Sequence, residues 1–128
     1  MKKILIVEDD AVSLKMMSLT LRNQGYTVVS AQDAIGAVAT AKRERPDLLV
    51  LDVNLPGGDA LVVISRLNTM GAMAPLVAVS ANASNRQRAL DAGADAFLLK
   101  PLDAATFVAA VKGALGEAEA SAPTGPAE

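Results

Sequence analysis

Two apolar runs, Ile4-Leu5-Ile6-Val7 and Leu48-Leu49-Val50-Leu51, contain no polar residue, and each ends in acid, at Glu8-Asp9-Asp10 and at Asp52. A strand with one wet face alternates apolar and polar residues. An unbroken β-branched and Leu run needs cover on both faces, as the inner strands of a parallel sheet have. Thr27-Val28-Val29, Leu76 to Val79 and Phe97-Leu98-Leu99 are three further strand candidates. Between the five runs lie helical stretches with legible ends. Asp10, Asp33 and Asp103 stand where N-caps belong, Gly25 and Gly93 where helices stop, and Pro46 bars continuation of the second helix. A third helix is expected from about Asp59 to Gly71, after the loop Leu55-Pro56-Gly57-Gly58, and a short polar fourth one from Ser84 or Asn85. In the last helix Ala104, Phe107, Val108, Val111 and Leu115 recur at helical spacing. Strand and helix alternate five times, which predicts an α/β doubly wound parallel sheet with helices on both faces.

One core suffices for 128 residues, and the 52% of hydrophobic residues can fill it, with Ala, Val, Leu, Ile and Met supplying nearly all the volume because aromatics are only 2%. Residues 1–116 are expected to form the domain. The Ala, Glu, Pro, Ser, Thr and Gly stretch 117–128 is expected to be a disordered tail or linker. The methionines at 16, 17, 70 and 73 read as core filler and surface. The basic start Met1-Lys2-Lys3 precedes an apolar run too short for a signal peptide, and no segment reaches the roughly 20 apolar residues of a membrane span. A soluble cytoplasmic protein without membrane contact is therefore expected. Lys and Arg are scattered and the net charge is −2, which speaks against direct nucleic-acid binding. There is no Cys and no His, so thiolate metal sites, imidazole bases and an internal phosphohistidine are excluded.

In open parallel sheets ligands bind beyond the carboxyl ends of the strands. There this chain places Glu8, Asp9 and Asp10 after strand one, Asp52 at the end of strand three, Ser80 and Ala81 after strand four, and Lys100-Pro101 after strand five. Several carboxylates in one cleft repel unless protonated or neutralised by a cation, and an all-oxygen donor set suits a hard ion, Mg²⁺ first (or Mn²⁺). An Asp beside such an ion, an ammonium and a hydroxyl can act as nucleophile toward a phosphoryl group.

The ordered set Val7-Glu8-Asp9-Asp10, Leu51-Asp52-Val53-Asn54-Leu55-Pro56, Val79-Ser80-Ala81 and Gly93-Ala94-Asp95-Ala96-Phe97 leading to Lys100-Pro101 resembles the receiver (CheY-like) domains of bacterial two-component response regulators, from about Lys3 to Leu115. The resemblance implies a flavodoxin-like (βα)5 fold with strand order 2-1-3-4-5. It makes Asp52 the phosphoacceptor in a phosphorelay and Lys100 the contact to the phosphoryl oxygens. Glu8 and Asp9 become the acidic pair that holds the metal, Asp9 as the expected direct ligand, with Asp52 and the backbone carbonyl of Asn54. Ser80 corresponds to the switch hydroxyl and Phe97 to the aromatic that turns inward on activation. Ala81 leaves access to the site, and Asn54 and Asn82 occupy positions that tune phosphoryl lifetime. A histidine kinase or histidine phosphotransfer protein would be the donor. A downstream protein or a second copy would read the face of helix four, strand five and helix five. Catalysis would be limited to the chain's own phosphoryl transfer and autodephosphorylation. Two departures stand out: Ala60 where the family usually has Gly, and Phe97 in place of the frequent Tyr.

Three other readings fit less well. A phosphohydrolase acting through an aspartyl-phosphate would place a second Asp two residues after the nucleophile, where Asn54 stands. A nucleotide-binding module would have a Gly-rich loop in place of Glu8-Asp9-Asp10. A non-phosphorylated interaction (pseudo-receiver) domain would tolerate loss of Asp9, Asp52 or Lys100, yet all three are present.

Overall fold

The computed structural model describes residues 2–55, 60–69, 71 and 74–117. The expected loop at Pro56-Gly57-Gly58, the helix start at Asp59, Met70, Met73 and the tail 118–128 lie outside the described residues. The elements run β1 (Lys3–Val7), α1 (Ala11–Asn23), β2 (Thr27–Ala31), α2 (Ala34–Glu44), β3 (Leu48–Asp52), α3 (Ala60–Thr69), β4 (Leu76–Ser80), a 3₁₀ turn (Ala83–Asn85), α4 (Arg86–Asp91), β5 (Ala96–Leu99) and α5 (Ala104–Ala114). All neighbouring strands pair in parallel, in the order β2-β1-β3-β4-β5, as the flavodoxin-like expectation has it.

The unbroken apolar runs are explained by the two faces of the sheet, since successive side chains on a strand point to opposite sides. Leu5, Val7, Leu49 and Leu51 pack on one face with Ala37 and Ala41 of α2 and with Val63, Ile64 and Leu67 of α3. Ile4, Ile6, Leu48 and Val50 pack on the other, with Met17 and Leu21 of α1 and with Phe107 and Val111 of α5. A smaller group, Val53, Ala78, Ala89 and Phe97, lies under α4.

The helix boundaries follow the local signals. Asp10, Asp33 and Asp103 each accept a hydrogen bond from the backbone N–H three residues on, at Ser13, Gly36 and Thr106, which satisfies donors that an N-terminus leaves open. Gly25 follows α1 with φ +92° and Gly93 follows α4 with φ +115°, conformations that a Cβ disfavours. Strands β3 and β4 extend one residue past their apolar runs, to Asp52 and Ser80. Backbone pairing is indifferent to the side chain, so Asp52 still pairs with Val79 and Ser80 with Leu99. That extension holds both polar residues rigidly at the sheet edge.

Candidate functional site

The carboxyl ends of β1, β3, β4 and β5 bring Glu8, Asp52, Ser80 and Lys100 together. Glu8 follows β1 and stays registered with β2, its N–H donating to the Ala31 carbonyl at 3.0 Å. Its side chain is 0% exposed. One carboxylate oxygen accepts from Lys100 Nζ at 2.6 Å and the other from the Asp10 N–H at 3.0 Å. Asp52, 5% exposed, accepts from the Asn54 N–H on Oδ1 at 2.8 Å and from Lys100 Nζ on Oδ2 at 2.9 Å. Lys100 thus bridges two buried carboxylates from strands that do not neighbour its own. Asp10 turns away to cap α1, as a residue of cap preference does.

Asp9 is exposed, yet one of its oxygens lies within 4.8 Å of an oxygen on Glu8 and one on Asp52. Three carboxylates against one ammonium leave a formal charge of −3 + 1 = −2 when all are ionised. Burial raises the Glu8 carboxyl above its ordinary value of 4.5, the hydrogen bonds from Lys100 and Asp10 offset only part of that, and the Asp52 charge adds to it. Burial would lower the Lys100 ammonium, but its hydrogen bonds to Glu8 and Asp52 and their charges prevail and hold it above 10.5. The charge deficit and the oxygen-only donors fit a divalent hard cation. Each Glu8 oxygen accepts one hydrogen bond, as each Asp52 oxygen does, and Asp9 is open to solvent. The hollow of about 430 Å³ beside the site is lined by Ala81, Lys100, Pro101, Val12 and Met16, so the small side chain at 81 borders open space.

Ser80 is 0% exposed, and its hydroxyl oxygen accepts from the Asn82 N–H at 3.0 Å, Asn85 Nδ2 at 3.0 Å and Asn54 Nδ2 at 3.3 Å. Asn54 therefore touches both Asp52, by its backbone, and Ser80, by its amide. Asn82 also accepts from the N–H and hydroxyl of Ser84. Asn85 is the participant that sequence reasoning missed. It reads there as one polar residue of a polar helix, and its burial at 8% exposure arises only from the packing of α4 on the sheet.

Phe97, the expected switch aromatic, is buried at 9% exposure, against Val53, Ala78 and Ala89. A phenyl ring has no hydroxyl to keep at the surface, so burial costs it no hydrogen bond.

Comparison with known proteins agrees with this geometry. The family model for the response regulator receiver domain matches residues 4–112. The transcriptional regulatory protein PrrA of Mycobacterium tuberculosis is 38% identical over 115 residues, which are 88% of this chain and 49% of that protein. The chain spans about half the length of the curated relatives it matches. Among solved structures, the receiver domain of the sensor histidine kinase PA1611 from Pseudomonas aeruginosa, with magnesium coordinated in its active-site cleft, superposes with a TM-score of 0.82 at 31% identity, covering 90% of this chain and 98% of that one. A CheY-like receiver domain protein from Methanospirillum hungatei gives 0.83 at 28% identity, covering 94% and 98%. With five parallel strands in this order, the acid cluster at their ends and a family match over most of its length, the chain belongs to the response regulator receiver domain family.

Proposed function

We propose that this chain is a phosphoacceptor switch: Asp52 takes a phosphoryl group from a phosphohistidine on a histidine kinase or phosphotransfer protein, with a divalent metal present. The observation that carries this reading is Asp52 held between the Asn54 N–H and the Lys100 ammonium, beside Glu8 and Asp9. A carboxylate oxygen of Asp52 forms the new O–P bond as the donor's N–P bond breaks and the imidazole leaves. A phosphoryl group on Oδ2 arrives within reach of Lys100, which can follow its developing charge. Glu8, Asp9, Asp52 and the Asn54 carbonyl would hold the metal, Mg²⁺ or Mn²⁺, and Glu8 also positions Lys100. The bound ion would supply charge neutralisation for the phosphoryl oxygens. The chain acts on no separate substrate.

The transferred group adds negative charge and acceptor oxygens that draw the Ser80 hydroxyl toward it. The signal would pass through Ser80 to α4, with Phe97 as the switch aromatic, and a downstream protein or a second copy reads the face of α4, β5 and α5. Residues 1–116 would be the switching unit and the tail a linker. Among the described residues no helix is long and apolar enough to cross a membrane, which accords with a cytoplasmic place of action. Incubation with Mg²⁺ and acetyl phosphate, read by intact mass, should show one added phosphoryl group, and Asp52→Asn should show none. Undiminished labelling of that variant removes Asp52 as the acceptor.

A further inference from the structure

We infer that Asn85 is a positioning residue that latches the Ser80 hydroxyl in the unmodified protein and ties its release to the first turn of α4, an inference that rests on the phosphoacceptor reading above. Asn85 ends the 3₁₀ turn and leads into α4 with helical backbone angles, φ −81° and ψ −7°, and its side chain makes no bond to the helix backbone. Instead Nδ2 donates to Ser80 Oγ at 3.0 Å. Arg88 Nη1 donates to Asn85 Oδ1 at 3.4 Å, which sets the amide with its nitrogen toward Ser80. Ser80 and Asn85 are both buried.

A serine hydroxyl has two acceptor positions, and three donors surround this one, Asn54 at 3.3 Å being the most distant. Rotation about Cα–Cβ that carries the oxygen toward a phosphoryl group on Asp52 takes it out of this ring of donors. The Asn85 amide then loses its acceptor in a buried place, an unfavourable state unless the amide reaches water. It can do so by displacement of the turn that carries it. Only six residues form α4, with Ala89 buried and Leu90 half-buried, so the element is lightly anchored. The latch therefore stabilises the unmodified state and not the phosphorylated one.

The test is the affinity of the full chain for beryllium fluoride, a phosphoryl mimic, at saturating Mg²⁺, with hydrogen exchange across Ala83–Asp91 as second readout. Asn85→Ala should bind the mimic about three- to tenfold more tightly than wild type, since one hydrogen bond present only in the unmodified state is gone. Asn85→Ser, which keeps a polar side chain but is too short to reach Ser80, should do the same. Exchange in the unliganded variants should rise toward that of the wild type with the mimic bound. In a Ser80→Ala background Asn85→Ala should change the affinity less than twofold. Unchanged or weaker affinity in both folded variants overturns the latch, as does an equal gain in the Ser80→Ala background, which would make Asn85 a structural residue only. A wild type that binds no beryllium fluoride overturns the phosphoacceptor reading itself and this inference with it.

Discussion

Lys100 Nζ lies 2.6 Å from Glu8 Oε1, across 92 residues of chain, and the same ammonium reaches Asp52 Oδ2 at 2.9 Å. One cation thus pairs with two buried carboxylates that would otherwise repel each other.

Replacing Lys100 with Met therefore has two expected effects. Phosphoryl transfer from acetyl phosphate slows, and folding stability falls by about 2 kcal/mol at neutral pH, because Glu8 is left buried without its ion-pair partner. The deficit shrinks as pH falls through the raised Glu8 value, where the carboxyl becomes neutral. At the alkaline end the sign comes from Lys100. A pKa raised on folding contributes stability that is present below 10.5 and lost as pH rises through the folded value, so wild type should lose stability there that Lys100→Met never had. Denaturant melts of both proteins from pH 5 to pH 11 check this, and parallel curves would remove the ion pair from the account.

Asp9 is the exposed member of the acid cluster. Asp9→Asn should raise stability in chelator by up to about 1 kcal/mol, as one repelling charge is gone from a partly wet site. The rise in Tm that Mg²⁺ produces in wild type should largely vanish in the variant. Thermal melts with and without Mg²⁺ measure both effects together, and a variant that keeps the full Mg²⁺ response would show that Asp9 is no ligand.

The single tyrosine offers a site-specific titration. Tyr26 donates its hydroxyl proton to Glu117 Oε1 at 2.6 Å, so Glu117, assigned to the tail on composition, is tied back to the domain. Burial first, then this hydrogen bond and the Glu117 charge, push the phenol up from 10 to about 12. The neutral form is the one favoured on folding, so its contribution to stability is present below pH 10 and lost as pH rises toward 12. Phenolate absorbance should show a midpoint near 12 in wild type and a lower one in Glu117→Gln, still above 10 because burial remains. An equal midpoint in the two proteins would leave burial as the whole cause.

Much of this molecule was readable along the chain. The unbroken runs at Ile4–Val7 and Leu48–Leu51 required a sheet covered on both faces, the caps at Asp10, Asp33 and Asp103 located three helix starts, and the acids and Lys100 at strand ends located the site. These features are set by neighbours a few residues apart, through pleat period, cap geometry and side-chain type, so a one-dimensional pattern carries them.

Three contacts were decided only by the packed fold. The two Glu8 oxygens meet Lys100 Nζ and the Asp10 N–H. Phe97 is buried beside Ala89 of α4, and Asn85, one polar residue among several in its segment, is the one whose amide meets Ser80. Each depends on how α4 and the β5–α5 connection settle against the strand ends. That settling is a balance of burial and hydrogen-bond satisfaction among residues far apart in the chain, and no local pattern records which of several similar side chains will meet.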